Sequence, residues 1–125
     1  MPHIVTLSVG RDPLLLQTRG QVLRSDGYTV SSTLSAEQAL QQFKAGDFDI
    51  VILCHSIPAR ERERLADAIH GHSPNTPVVV VAAGFSGKDR AVDAVIENEP
   101  ATLLQELPRL LRKAPENYQI QRKEA

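Results

Sequence analysis

The sequence predicts an α/β domain: one doubly wound sheet of five parallel strands, order 2-1-3-4-5, with helices on both faces. Three observations predict it. Ile50-Val51-Ile52-Leu53 is a short branched, apolar run without alternation, the pattern of a strand covered on both faces. Val78-Val79-Val80-Val81 is a second such run. Finally, the strand-like segments are separated by helix-length ones, which implies parallel strands joined by right-handed crossovers.

Taken in order, Ile4 to Val9 reads as the first strand, broken by Gly10-Arg11. Asp12-Pro13 opens a helix, because aspartate caps and proline suits the first helical position. Leu15, Arg19, Val22 and Leu23 give that helix its stripe, and Gly27 ends it. Tyr28 to Leu34 is a more polar, β-branched strand, expected at an edge. Ser35 and Gln38 form a capping box, with Ala36, Ala39, Leu40 and Phe43 following at helical spacing until Gly46. Phe48-Asp49, polar at Asp49, leads into the third strand, and polar residues resume at Cys54-His55.

A third helix begins near Ala59 with the alternating charges Arg60 to Arg64, read as a solvated face. His70 to Thr76 reads as a loop with two surface histidines. Pro77 to Ala83 is a central strand. The stretch from Gly84 to Asp89 leaves little room for a helix, so the fourth helix is expected to be shortened or missing. Ala94-Val95-Ile96 is a short fifth strand. Leu103, Leu104, Leu107 and Leu111 make the last helix, which Pro108 should kink. The expected division is a domain over residues 1–113 and a polar tail over 114–125. A single sheet of this order is flavodoxin-like. Its switch point lies between the first and third strands, so the loop after Val9 and the Cys54-His55 turn should face each other across a cleft.

Totals exclude several functions. The 125 residues suit one domain, with 42% hydrophobic and 23% charged residues, as in ordinary globular proteins. A net charge of -1 gives no footprint for nucleic acid or an anionic membrane. No apolar run approaches a membrane span, and the N-terminus lacks a signal-peptide pattern. One cysteine makes neither an internal disulfide nor a cysteine-based zinc site, so a cytoplasmic setting is expected.

Phe48 to Pro58, Asp12-Pro13, Gly27-Tyr28, Glu37-Gln38-Ala39-Leu40 and Thr76-Pro77-Val78-Val79 recur in an order and spacing that fit one family. From Ile4 to about Arg112 the chain resembles the receiver domain of bacterial two-component response regulators, the CheY-like modules of phosphorelays. The resemblance implies phosphoryl transfer from a histidine kinase to an aspartate at the end of the third strand. It implies an acidic pair after the first strand to hold Mg²⁺, a hydroxyl ending the fourth strand and a lysine ending the fifth; charge stabilisation is most of such catalysis. This sequence has Cys54 at the nucleophile position and Gly10 and Arg11 at the acidic pair, with Asp12 one place beyond. Ala82 stands at the hydroxyl position, with Ser86 further along, and Glu99 at the lysine position. Val95 or Ile96 stands where the family often carries an aromatic. The implied form is a degenerate receiver, a pseudo-receiver.

Bland readings compete with sharp ones. Cys54 is first a buried strand-end residue; a reactive thiol would need nearby positive charge, for which Arg11 is the candidate. His55 would serve as its base only if the chain has already turned. Arg11 and Glu99 are first two separately solvated side chains; the sharper reading is an ion pair filling the metal and phosphoryl site. The Gly84 to Asp89 loop is too short for a phosphate loop. The expected function is a stand-alone signalling module, not an enzyme, acting through a protein partner or a homodimer with no cofactor and no metal. The partner surface is expected around the shortened fourth helix, the fifth strand and the last helix. The alternatives are an atypical receiver that still accepts a phosphoryl group, and a Cys54 thiol sensor.

Overall fold

The computed structural model describes residues 4–82, 92–97 and 99–111. The elements are β1 (Val5–Val9), α1 (Pro13–Ser25), β2 (Thr29–Thr33), α2 (Ala36–Ala45), β3 (Ile50–Cys54), α3 (Ala59–His72), β4 (Val78–Ala82) and β5 (Ala94–Glu97). A last helix, α4, spans 100–111. All five strands pair in parallel, in the order β2-β1-β3-β4-β5. This is the flavodoxin-like sheet the sequence predicts, with β2 at an edge and β4 flanked on both sides.

Strand alternation sorts the core into two layers. Leu7, Val9, Val51, Leu53, Val78 and Val80 pack with Ala39 and Phe43 of α2 and Leu65, Ala66 and Ile69 of α3. Ile50, Ile52, Val79 and Val81 pack with Leu23 of α1 and Leu103, Leu107 and Leu111 of α4. β1 to β2 steps one way across the sheet and the later connections step the other way, so right-handed crossovers place α1 opposite α2 and α3. Every residue of β3 is buried. Each fully buried branched side chain contributes roughly 1.5–3 kcal/mol relative to exposure, which makes β3 the strand the fold is built on.

Local chemistry sets the ends. Asp12 Oδ1 accepts from the amides of Leu14 and Leu15, capping α1. Gly27 lies at φ +94, and Tyr28 N donates to Leu23 O while Gly27 N donates to Arg24 O, the Schellman ending in which glycine takes the left-handed position. Two aspartates perform the same task at the other end of the sheet. Asp49 Oδ2 accepts from Val5 N at 2.8 Å, and Asp93 Oδ2 accepts from Val78 N at 2.7 Å. Each satisfies the first amide of the neighbouring strand, so the polar lead-in to β3 is a strand cap.

Several expectations change. Leu16, not Leu15, is the buried leucine of α1's stripe, beside Arg19, Gly20 and Leu23. Ser35 Oγ caps Gln38 N, but Gln38 Oε1 accepts from Thr33 Oγ1, and that hydroxyl accepts from Ser35 N. The return half of the capping box is thus relayed through Thr33. Helix α3 runs on to His72, so the loop starts at Ser73; His70 Nε2 lies 2.9 Å from Asp93 Oδ2. The charged start of α3 is more than a solvated face: Arg62 donates to the carbonyls of His55 and Ile57, holding the β3–α3 turn. Helix α4 continues through Pro108. The shortened fourth helix, Ser86, the Gly84 to Asp89 loop and the 114–125 tail lie outside the described residues.

Candidate functional site

The parallel register Val9↔Leu53 brings the residues that follow, Gly10 and Cys54, side by side at the carboxyl end of the sheet. The two loops of the switch point do face each other. Gly10 is there because nothing larger fits: a Cβ on it would lie 2.8 Å from Cys54 Cβ and 3.4 Å from Ser56 Oγ. Gly10 N donates to Thr33 O at 3.2 Å, and Arg11 N donates to Ser56 Oγ at 2.9 Å. The β1–α1 loop is therefore tied to β2 on one side and to the β3–α3 turn on the other.

The charges are arranged differently from the expectation. Arg11 reaches outward, and its Nη2 lies 2.6 Å from both carboxylate oxygens of Glu61 on α3. It is neither separately solvated nor paired with Glu99, because the first turn of α3 packs beside the β1–α1 loop. Glu99 stands at the start of α4, where its carbonyl accepts from Leu103 N, and its backbone N donates to Glu97 O. Ala82 ends β4 one residue beyond Val81, the register partner of Cys54. Gly10, Arg11 and Cys54 are thus brought together, Asp12 stands beside them as a helix cap, and no described hydrogen bond or ion pair brings Glu99 to them.

The positive charge beside Cys54 is Arg19, not Arg11. Arg19 lies on α1, 5% exposed, and Cys54 is 0% exposed. Burial pushes the Cys54 thiol up. Hydrogen bonds from the Ser56 side chain and backbone and from Arg19, with the Arg19 charge, outweigh burial and bring it below the ordinary thiol value. The chain has turned by His55, whose Nδ1 lies 3.8 Å from Cys54 Sγ. Sequence reasoning placed Arg19 in the α1 stripe without assigning it a role. The signal was a cation at a core-facing position of the helix that covers the strand end.

A receiver's Mg²⁺ needs hard oxygen ligands. The side chains here offer it a thiol, a guanidinium held by Glu61, and a carboxylate already capping α1. Among the described residues no group of three His, Cys, Asp or Glu side chains is placed to hold a metal ion. This donor set does not fit the ion.

A CheY-like response regulator receiver domain protein from Methanospirillum hungatei superposes with a TM-score of 0.82 at 21% identity, covering 93% of this chain and 99% of that one. Chemotaxis protein CheY4 of Vibrio cholerae gives 0.77 at 21% identity, covering 87% and 99%. The response regulator TrrA of Thermotoga maritima, in complex with Mg²⁺–BeF, gives 0.77 at 20% identity, covering 86% and 98%. No curated protein sequence matches the chain. The family model for the response regulator receiver domain matches residues 7–105. With that match over most of its length, the chain belongs to the response regulator receiver domain family.

Proposed function

We propose that this receiver domain signals by protein–protein contact without phosphotransfer, as a pseudo-receiver. One observation carries the reading: the guanidinium of Arg11, at the position of a metal-holding acid, is bound to Glu61 while Gly10 and Cys54 close on each other. A close backbone approach, with no unengaged carboxylate, then stands where the family gathers negative charge, because Arg11 turns out to Glu61 and Asp12 caps α1. Glu99, at the lysine position, supplies no positive charge to attract a phosphoryl group. The partner surface in this reading is that of β5 and α4, and the partner is another signalling protein or a second copy.

The test is an NMR titration of the full chain with beryllofluoride and Mg²⁺. The expected outcome is no saturable shift at residues 10, 54 or 99. A clear, Mg²⁺-dependent, saturable shift there would end the proposal, as would a phosphoryl adduct in the intact mass after incubation with acetyl phosphate. Cys54→Asp alone is expected to leave both results unchanged, because positions 10 and 11 still offer the metal no carboxylate and position 99 offers the phosphoryl group no cation.

The Arg19 charge beside Cys54 favours a second reading, a thiol sensor. Burial opposes it, since a neutral disulfide must reach a sulfur that is 0% exposed. We expect a small neutral disulfide at pH 7 to react with the folded protein more slowly than with the urea-unfolded chain. A folded-state rate above the unfolded one would favour the sensor.

A further inference from the structure

Strand β2 lies at an edge of the sheet, and its register fixes which backbone groups face out. Thr29 N donates to Ile4 O, and Gly10 N donates to Thr33 O. Residues 29, 31 and 33 therefore turn their backbone groups toward β1, while Val30 and Ser32 turn theirs outward. Outward groups on an edge strand are a template for pairing with another chain, and proteins commonly protect them with charged side chains or proline. This strand supplies neither. No charged residue and no proline occurs from Gly27 to Ala36, and Thr29, Val30 and Thr33 are β-branched. An uncharged, β-prone segment of this kind favours pairing between identical strands when it is left open.

The protection comes from α1. Arg24 Nη2 donates to Val30 O at 3.1 Å. An incoming strand would have to place an amide where that guanidinium stands. The side chain lies back over Gly20, about one turn earlier on the same helix. A Cβ at Gly20 would meet Arg24 Nη1 at 3.2 Å, so a buried glycine gives the guanidinium its seat. With Val30 O taken, Ser32 is the one residue of β2 whose outward amide and carbonyl both stay open, and a single residue is too short for a ladder.

We propose that Arg24 is an edge guard, which closes β2 against the β2 strand of a second copy of this chain. Gly20 positions the guard, and Val30 O is the group it covers. The proposal goes beyond the signalling reading: it concerns the edge of the sheet opposite β5 and needs no partner at β5 or α4.

The test compares the wild-type full chain with Arg24→Ala, by analytical ultracentrifugation and by amide hydrogen exchange across a wide range of protein concentration. Arg24 is exposed and alanine suits a helix, so the fold should survive. The variant should associate increasingly with concentration. Exchange at the outward amides of Val30 and Ser32 should slow with it by about 2–10-fold, the worth of a net hydrogen bond. In the wild type these amides should exchange at one rate at every concentration, even where the chain dimerises through another face. Adding Ser32→Lys to Arg24→Ala should return Val30 to the wild-type rate, because an edge lysine blocks pairing. Variant amides that ignore concentration, protection that survives Ser32→Lys, or equal protection in the wild type would each overturn the proposal. None of these outcomes bears on phosphotransfer, because the beryllofluoride titration is read at residues 10, 54 and 99.

Discussion

Replacing Gly10 with alanine is expected to cost about 1–3 kcal/mol in denaturant unfolding, the range for forcing extra volume into a packed core. The added Cβ meets Cys54 Cβ at 2.8 Å, and both belong to stiff strand ends, so backbone must move to accept it. Gly10→Asp should cost more than the alanine, because it also buries a carboxylate at a position closed to water. The contact itself is tested by a double-mutant cycle with Cys54→Gly. Removing the cysteine Cβ should recover part of the Gly10→Ala loss, with a coupling of about 0.5–3 kcal/mol. Simple additivity would show that the close approach is not the cause. An acid at position 10 therefore requires the β1–β3 strand ends to be repacked first.

Arg19 gives the other large effect. Arg19→Glu places a carboxylate in a nearly closed site and removes the cation beside Cys54. A loss of about 3–5 kcal/mol is expected at neutral pH, the cost of leaving a buried charge unmatched. Arg19→Met keeps much of the volume without the charge and should lose far less. Its signature is in the thiol. The Cys54 titration, followed by thiolate absorbance, should move up from its wild-type position. The stability profile should change with it. Because the folded-state pKa is lowered, the thiolate contributes stability that is full above the unfolded-state value and is lost as pH falls through the lowered folded value. Wild-type stability should thus rise across that alkaline window relative to Arg19→Met. An unmoved thiol titration would remove Arg19 as the cause.

Much of the architecture was legible because it rests on local pattern. Continuous apolar runs give buried strands, helix-length spacers give parallel crossovers, and the Asp12-Pro13 and Gly27 signals give the ends of α1. The positions of Gly10, Arg11 and Cys54 at one cleft were legible for the same reason, since the switch point follows from strand order. The partners of those residues were not. Arg11 and Glu61 are 50 positions apart, and Glu61 was one of several alternating charges at the head of α3. Nothing in the run of Arg60 to Arg64 distinguishes the glutamate that meets Arg11, or the arginine that holds the β3–α3 turn, from those left in water. Asp49 was likewise only polar until β1 lay beside it and supplied Val5 N. The shift from Leu15 to Leu16 is a rotation of less than a third of a turn, within what a helical stripe alone resolves.

By itself the sequence determined the sheet, its order and the two layers of helices. Periodicity and residue type carry that information, and both are local. Only the tertiary structure decided that Arg11 turns out to Glu61, that Arg19 turns in to Cys54, and that Arg24 reaches Val30 O at the edge of β2. The physical reason is that a charged side chain several ångströms long takes its partner from whatever packing brings within reach. That packing is settled by the whole core, not by neighbours along the chain.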